Sequence, residues 1–200
     1  TRIGSSAASD VYKRQNMNTY KKIAVLGGGS FGTVLANLAA SNGHSVSLWV
    51  RDSDQALRIN SEGANTIYHP ELKLSENILA TDSLEEVLKD ASMVFIATPS
   101  IIFEQIIKRI SNLIEDDSYI ISCTKGILGN PFRSLSEIIR ERVENTLGVL
   151  SGPNLAKEIA DKKVAGSVIA SSDNELINSV KSVLSSQTFK IYSSDDMQGV

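Results

Sequence analysis

The sequence predicts a doubly wound α/β fold, in which helices cover both faces of a mostly parallel sheet. Short apolar runs alternate with stretches of helical periodicity along the chain, and this alternation is typical of parallel strands joined by crossover helices. A glycine-rich stretch separates the first apolar run from the first helical stretch. The content of 42% hydrophobic and 22% charged residues is that of a globular protein and excludes a disordered chain.

Eight apolar runs predict the strands of the sheet. Each run is short and ends at glycine, proline or polar residues, as buried parallel strands do. In chain order the predicted strands cover residues 22–27, 45–50, 78–81, 93–97, 119–123, 147–150, 167–170 and 189–192.

Helices are predicted between these strands from one-sided apolar periodicity and from capping residues. Gly43 ends the first helix, and Asp52 or Ser53 caps the second. Residues 65–77 are polar and contain Pro70, so they predict a surface loop. The predicted helices cover residues 30–42, 52–61, 83–89, 101–114, 132–142, 153–161 and 173–184.

Residues 1–16 differ from the rest because they show no apolar periodicity. We expect a disordered or non-native leader, a natural start at Met17, and a folded domain over residues 17–200. A native N-terminal extension is the alternative.

Several classes of protein are excluded by composition. The single cysteine, Cys123, has no partner for an intrachain disulfide, so the chain is not a disulfide-rich scaffold. No stretch reaches the roughly 18 apolar residues of a transmembrane helix. The formal net charge of -3 provides no basic surface for nucleic acid. The lone thiol and the absence of an apolar export signal predict a cytoplasmic protein.

Ligands of such sheets bind beyond the carboxyl ends of the strands. The stretch Gly27-Gly-Gly-Ser-Phe-Gly32 follows the first strand and matches G-x-G-x-x-G. Gly27 permits a tight turn, Gly29 lets a pyrophosphate approach the backbone, and Gly32 lets the helix pack on the strand. The motif in this context predicts a Rossmann-like dinucleotide site, with a glycine turn that binds nothing as the alternative.

The end of the second strand bears on the choice between NADP and NAD. Arg51 can pair with a 2′-phosphate, whereas an acid at the position of Asp52 would bind the ribose hydroxyls of NAD. Asp52 has a second interpretation as a helix cap, with Gln55 three residues later. The sequence therefore favours NADPH and leaves NAD open.

Three further strand ends carry candidate residues. Pro99 would form an apolar wall near the cofactor, unless the segment is a plain turn with Ser100 as the helix cap. Lys125 could pair with a substrate phosphate or polarise a carbonyl group, or lie exposed in a turn. Gly152 and Asn154 follow another strand, where a simple cap with Pro153 at the first helical position is the alternative. His44 and His69 stand apart from other metal ligands, so no metal site is predicted.

At these positions the chain resembles the N-terminal, cofactor-binding domain of bacterial NAD(P)-dependent sn-glycerol-3-phosphate dehydrogenases. The lysine–glycine pair after the fifth strand, together with the Ser-Gly-Pro element, is the specific part, because general Rossmann domains lack it. The matching stretches are 23–33, 48–51, 65–70, 97–100, 124–126, 150–156 and 189–192.

The resemblance implies roles for individual residues. Lys125 would contact both substrate and cofactor, and Gly152 and Asn154 would line the glycerol-phosphate site. The implied cofactor contacts are Gly27, Gly29, Ser30, Phe31, Gly32, Arg51, Pro99, Lys125 and Ala156.

The chain departs from the family pattern in three ways. Asn154 stands where the family commonly has serine, and Phe31 where it commonly has tryptophan. The family also continues past Val200 into a general-base lysine and an all-helical substrate domain with a phosphate clamp. We therefore expect a cofactor domain cut from a longer enzyme.

The reaction implied by the resemblance moves a hydride between NAD(P)H and dihydroxyacetone phosphate, and it supplies sn-glycerol 3-phosphate for phospholipid synthesis. The expected partner is this phosphorylated triose, and the full-length protein is expected to be a homodimer. Two alternatives are a related hydroxy-acid or ketopantoate-type dehydrogenase, and a non-catalytic module that senses dinucleotides.

Overall fold

The computed structural model describes residues 22–129 and 132–200. The leader predicted over residues 1–16 lies outside the described residues. Eight of the described strands form one sheet, in agreement with the number predicted. They are β1 (Ile23–Leu26), β2 (Val46–Trp49), β3 (Ile78–Thr81), β4 (Met93–Ile96), β5 (Tyr119–Ser122), β8 (Leu147–Ser151), β9 (Ala165–Ala170) and β10 (Phe189–Ser194), and a separate hairpin comprises β6 (Ile127–Leu128) and β7 (Arg133–Ser134).

The strand order confirms the doubly wound, mostly parallel sheet. The order is β10-β9-β8-β5-β4-β1-β2-β3, and the pairing of β8 with β9 is the antiparallel one among otherwise parallel pairs. The chain leaves β3 at one edge and returns as β4 on the far side of β1. Connections diverge at this point, and such a switch point leaves a crevice at the carboxyl ends of the strands.

Seven described helices connect these strands, and four of them begin at a residue whose side chain caps the first turn. Asp52 accepts a hydrogen bond from the Asp54 N–H, Ser83 from the Glu86 N–H and Asp173 from the Leu176 N–H. The helices are α1 (Ser30–Ser41), α2 (Ser53–Glu62), α3 (Leu84–Leu88), α4 (Ser100–Ile110), α5 (Leu135–Arg140), α6 (Ala156–Ala160) and α7 (Asn174–Leu184).

The core lies on both faces of the sheet because successive strand residues point to opposite sides. In β1, Ile23 and Val25 join one apolar cluster, which includes residues of α1 and α7. Ala24 and Leu26 join the other, which includes residues of α3, α4 and α5. All four side chains are fully buried. A strand that is covered on both faces forms a continuous apolar run in the sequence. This is why the apolar run over residues 22–27 predicted β1.

Two helix starts differ from the prediction. The helix expected over residues 132–142 begins at Leu135, because Ser134 and Glu137 form a capping box there and the β6–β7 hairpin occupies the residues before it. The helix expected over residues 153–161 begins at Ala156, so Pro153 does not occupy the first helical position.

Smaller corrections concern a cap and a loop. Ser100 is the first residue of α4, whose N-cap position is held by Pro99 without a side-chain hydrogen bond. The loop over residues 65–77 is not wholly a surface loop, because Asn65 and His69 are buried. None of the helices in residues 22–129 and 132–200 is long and apolar enough to cross a membrane.

The packing of α1 on β1 generates a stability prediction. A Cβ atom added at Gly32 would lie 1.9 Å from the Gly27 carbonyl oxygen, whereas one at Gly29 would meet no protein atom within 4 Å. We expect Gly32→Ala to lower the free energy of unfolding by about 1–3 kcal/mol through overpacking, and Gly29→Ala to leave it nearly unchanged. Urea denaturation of both variants measures this, and equal stabilities would contradict the packing role of Gly32.

Candidate functional site

A cavity of about 710 Å³ opens at the carboxyl ends of the strands, where the switch point places it. The cavity brings together residues that follow β1, β2, β4, β5 and β8. Of the predicted site residues, it is lined by Gly27, Gly29, Ser30, Phe31, Arg51, Pro99, Lys125, Asn154 and Ala156, whereas Gly32 and Gly152 are not among the lining residues.

The glycine turn forms one wall of this cavity. Gly27 has a φ angle of 120°. A Cβ atom there would lie 2.5 Å from the carbonyl oxygen of Ala97, the residue that directly follows β4. Gly29 lines the cavity and has no protein atom near the position of its absent Cβ. A ligand can therefore approach the Gly29 backbone at close range. Gly32 acts beneath the turn, as a packing residue.

Helix α1 points its N-terminus into the same cavity. Gly29 occupies the N-cap position, and no side chain caps the helix. The first N–H groups of a helix have no partner within the helix. Uncapped N–H groups and the helix dipole favour an anion at this point.

Two buried amide side chains, Gln55 and Asn65, hold the glycine turn, and Gln55 also lines the cavity. Gln55 Nε2 donates to the Gly28 carbonyl oxygen at 2.9 Å, and Asn65 Nδ2 donates to the same oxygen at 3.0 Å. Gln55 therefore reaches the turn, and it does not act as the helix-capping partner of Asp52. Asn65 lies within a stretch that resembles the family, which was the available signal, but a polar loop pattern does not reveal burial.

His69 also contacts the turn. Its Nε2 atom lies 2.9 Å from the Ser30 hydroxyl oxygen and 3.0 Å from the Ser30 carbonyl oxygen. The histidine that looked isolated in the sequence is thus bonded to the first residue of α1. The described part of the chain holds no group of three or more metal-ligating side chains.

The side chains of Arg51 and Asp52 differ in what they contact. The Asp52 carboxylate caps α2, as one of the two interpretations predicted, although the residue also lines the cavity. Arg51 is exposed at the cavity. None of the three ion pairs formed by the described residues involves Arg51, so its guanidinium group is available to a ligand anion.

Lys125 and Gly152 are in direct contact. Lys125 Nζ donates a hydrogen bond to the Gly152 carbonyl oxygen at 3.0 Å, which places the ammonium group between the ends of β5 and β8. The Thr124 hydroxyl group donates to the Thr98 carbonyl oxygen at 2.8 Å and so joins the ends of β5 and β4. The residue before Lys125 is thus bonded to the end of β4, and the Lys125 side chain is bonded to the end of β8.

Asn154 is buried, and its amide nitrogen is already engaged. Nδ2 donates to the Gly166 carbonyl oxygen at 3.2 Å and to the Ser167 hydroxyl oxygen. An amide nitrogen has two hydrogens to donate, so both are used within the protein. A ligand at this wall would meet the amide oxygen or the backbone of Asn154.

Cys123 lines the cavity but is not a nucleophile. The thiol is buried, and burial raises its pKa far above the ordinary value. The reactive thiolate is therefore not populated near neutral pH. Cys123 instead packs as a small apolar residue of the core.

Comparison with known proteins matches residues 22–177 to the family described as NAD-dependent glycerol-3-phosphate dehydrogenase N-terminus. The chain belongs to this family. A relative from Alcanivorax borkumensis, named glycerol-3-phosphate dehydrogenase [NAD(P)+], is 47% identical over 178 residues, which cover 88% of this chain and 52% of the relative. The chain thus spans about half the length of the curated relatives that it matches.

Solved structures agree with the family assignment. A crystal structure of glycerol-3-phosphate dehydrogenase from Coxiella burnetii has a TM-score of 0.85 and 32% sequence identity, and the match covers 90% of this chain and 55% of that one. A ketopantoate reductase structure from Ralstonia eutropha has a TM-score of 0.64 and 14% identity, covering 89% of this chain and 58% of that one. The second likeness is one of fold alone.

Proposed function

We propose that residues 17–200 are the cofactor-binding domain of an NAD(P)H-dependent glycerol-3-phosphate dehydrogenase. The whole protein would interconvert dihydroxyacetone phosphate and sn-glycerol 3-phosphate and supply glycerophospholipid synthesis. The observation that carries this proposal is the uncapped N-terminus of α1 at Gly29, facing a cavity that also contains Lys125. Membership in the glycerol-3-phosphate dehydrogenase family supports the same choice of substrate.

The residues around the cavity fit a dinucleotide. The open space at Gly29 and the N–H groups of α1 suit a pyrophosphate, with Ser30 and Phe31 beside it. Arg51 suits the 2′-phosphate of NADPH. Pro99, Lys125 and Ala156 also line the cavity and would contact the nicotinamide end.

The bound cofactor would supply the hydride for reduction of the substrate carbonyl. Lys125 would pair its ammonium group with the substrate phosphate or stabilise charge at the carbonyl oxygen. The Gly152 carbonyl, 3.0 Å from Lys125 Nζ, would keep this ammonium group at the cavity. Asn154 would contribute its amide oxygen to the substrate end. The resemblance assigns the general-base lysine and the phosphate clamp to sequence beyond Val200.

Two features of the whole protein belong to the same proposal. A cytoplasmic location is supported by the lone buried thiol, which suits a reducing compartment. We also expect the full-length protein to be a homodimer, and light scattering of that protein measures its oligomeric state.

The activity is tested with the full-length protein. We expect NADPH oxidation with dihydroxyacetone phosphate to exceed oxidation with 2-ketopantoate or a 2-keto acid by at least about a hundredfold, because a site built for specific polar contacts strongly rejects substrates that leave them unpaired. Steady-state absorbance at the reduced nicotinamide band measures it. Equal rates would favour a related dehydrogenase, and no turnover with tight NADPH binding would favour the sensing module.

Dinucleotide binding is tested at Gly29. Its backbone is extended, with a φ angle of -79° and a ψ angle of -172°, so valine fits there without strain. We expect Gly29→Val to remain folded and to lose NADPH binding, because the side chain enters the space of the pyrophosphate. Calorimetry measures the binding and circular dichroism the fold. Unchanged NADPH affinity in a folded variant would contradict the assignment of a dinucleotide site to the glycine turn.

Cofactor choice is tested at Arg51. We expect Arg51→Ala to weaken NADPH binding by about 1.5–3 kcal/mol, or roughly 10- to 150-fold, and to weaken NADH binding much less. Arg58→Ala is the matched control, because Arg58 lies on α2 and is not among the residues that line the cavity. Fluorescence titrations with both cofactors decide the question, and equal losses in Arg51→Ala would mean that no 2′-phosphate meets this arginine.

A further inference from the structure

The Gly28 carbonyl oxygen accepts hydrogen bonds from two side chains that are distant in sequence. Gln55 Nε2 lies 2.9 Å from this oxygen, and Asn65 Nδ2 lies 3.0 Å from it. Both donors are buried, with Asn65 only 1% exposed. Side chains of α2 and of the loop after α2 therefore hold the glycine turn.

The two amide side chains are also bonded to one another. Gln55 Nε2 donates to Asn65 Oδ1 at 3.2 Å, and Asn65 Nδ2 donates to the Thr33 hydroxyl oxygen at 2.8 Å. The Asn65 amide thus uses both of its hydrogens and its oxygen. Because a buried amide that rotates would leave these groups unsatisfied, the arrangement has one favoured orientation.

The trans peptide geometry gives this arrangement a consequence at Gly29. The C=O of Gly28 and the N–H of Gly29 belong to one planar unit and point in opposite directions. The carbonyl points into the protein, toward Gln55 and Asn65. The N–H of Gly29 must then point away from these two donors, and Gly29 itself lines the cavity.

A peptide between two glycines would otherwise be free to rotate. Neither Gly28 nor Gly29 carries a Cβ atom, so steric restrictions on this unit are weak. A turn that sampled both orientations would present the Gly29 N–H to a ligand only part of the time. Binding sites avoid that cost when their donors are held in place before the ligand arrives.

We propose that Gln55 and Asn65 are positioning residues for cofactor binding, which hold the Gly28–Gly29 peptide so that the Gly29 N–H faces the cofactor pyrophosphate. This inference rests on the proposed function, since it takes a dinucleotide as the ligand. In this scheme both residues act through the backbone of Gly28, although Gln55 also lines the cavity whereas Asn65 does not.

The experiment uses two near-isosteric variants of the 200-residue chain and a matched control. Gln55→Met and Asn65→Leu remove the donors to Gly28. Asn60→Leu is the control, because Asn60 also makes two amide hydrogen bonds of 2.8 Å, to the backbone of Ala80, but is not among the residues that line the cavity. The Kd for NADPH and the thermal unfolding midpoint are measured for each.

We expect each of the two variants to raise the Kd for NADPH by about tenfold, the effect of roughly one buried hydrogen bond. The control should lower the unfolding midpoint and leave the Kd within about twofold of the parent value. If Asn65→Leu does not fold, Gln55→Met decides through its Kd together with the NMR signal of the Gly29 amide, because Gln55 also lines the cavity.

A second readout separates positioning from general stabilisation. In the ligand-free ¹⁵N-labelled chain, the Gly29 amide should give one sharp cross-peak, which broadens or splits in Gln55→Met and stays sharp in Asn60→Leu. Parental Kd values in both Gln55→Met and Asn65→Leu, or a sharp Gly29 cross-peak in Gln55→Met, would overturn the inference. A parent chain that binds no NADPH would instead refute the proposed function, and the Gly29 cross-peak would still report on the peptide orientation.

Discussion

The close contact between Gly32 and the Gly27 carbonyl is the constraint on which the rest of the site depends. A Cβ atom at Gly32 would lie 1.9 Å from that oxygen, so α1 can start this near to the end of β1 only with glycine there. The short β1–α1 turn aims the uncapped end of α1 at the crevice between β1 and β4.

The walls of the cavity come from distant parts of the chain, and polar contacts hold them to the turn. His69 bonds to Ser30 from the loop after α2, and the Thr124 hydroxyl group joins the end of β5 to the end of β4. Lys125 reaches across to Gly152 at the end of β8. The groups that would meet a cofactor therefore rest on side-chain hydrogen bonds as well as on the sheet.

These contacts distinguish the end of the cavity at the glycine turn from the far end at Lys125 and Asn154. At the first end lie the uncapped N-terminus of α1 and the Gly28 carbonyl, which the buried Gln55 and Asn65 amides hold. The far end is built from an exposed lysine and the buried Asn154, whose amide nitrogen is committed to Gly166 and Ser167.

The sequence by itself determined the fold class, the eight strands and the glycine turn. Buried parallel strands such as β1 read as continuous apolar runs, and caps such as Asp52 and Asp173 act within a few residues of their own position. The predicted helix start at Pro153 was wrong, because the fixed φ angle of proline suits both the first turn of a helix and an extended segment. Helix α6 begins at Ala156.

Only the tertiary structure decided which polar residues support the site. Asn65 and His69 lie in a loop whose composition is that of a surface segment, yet both are buried against the turn. Their partners, Gly28 and Ser30, are 37 and 39 residues away. No local pattern encodes such a contact, because it arises only when the parallel sheet brings the loop after α2 beside the end of β1.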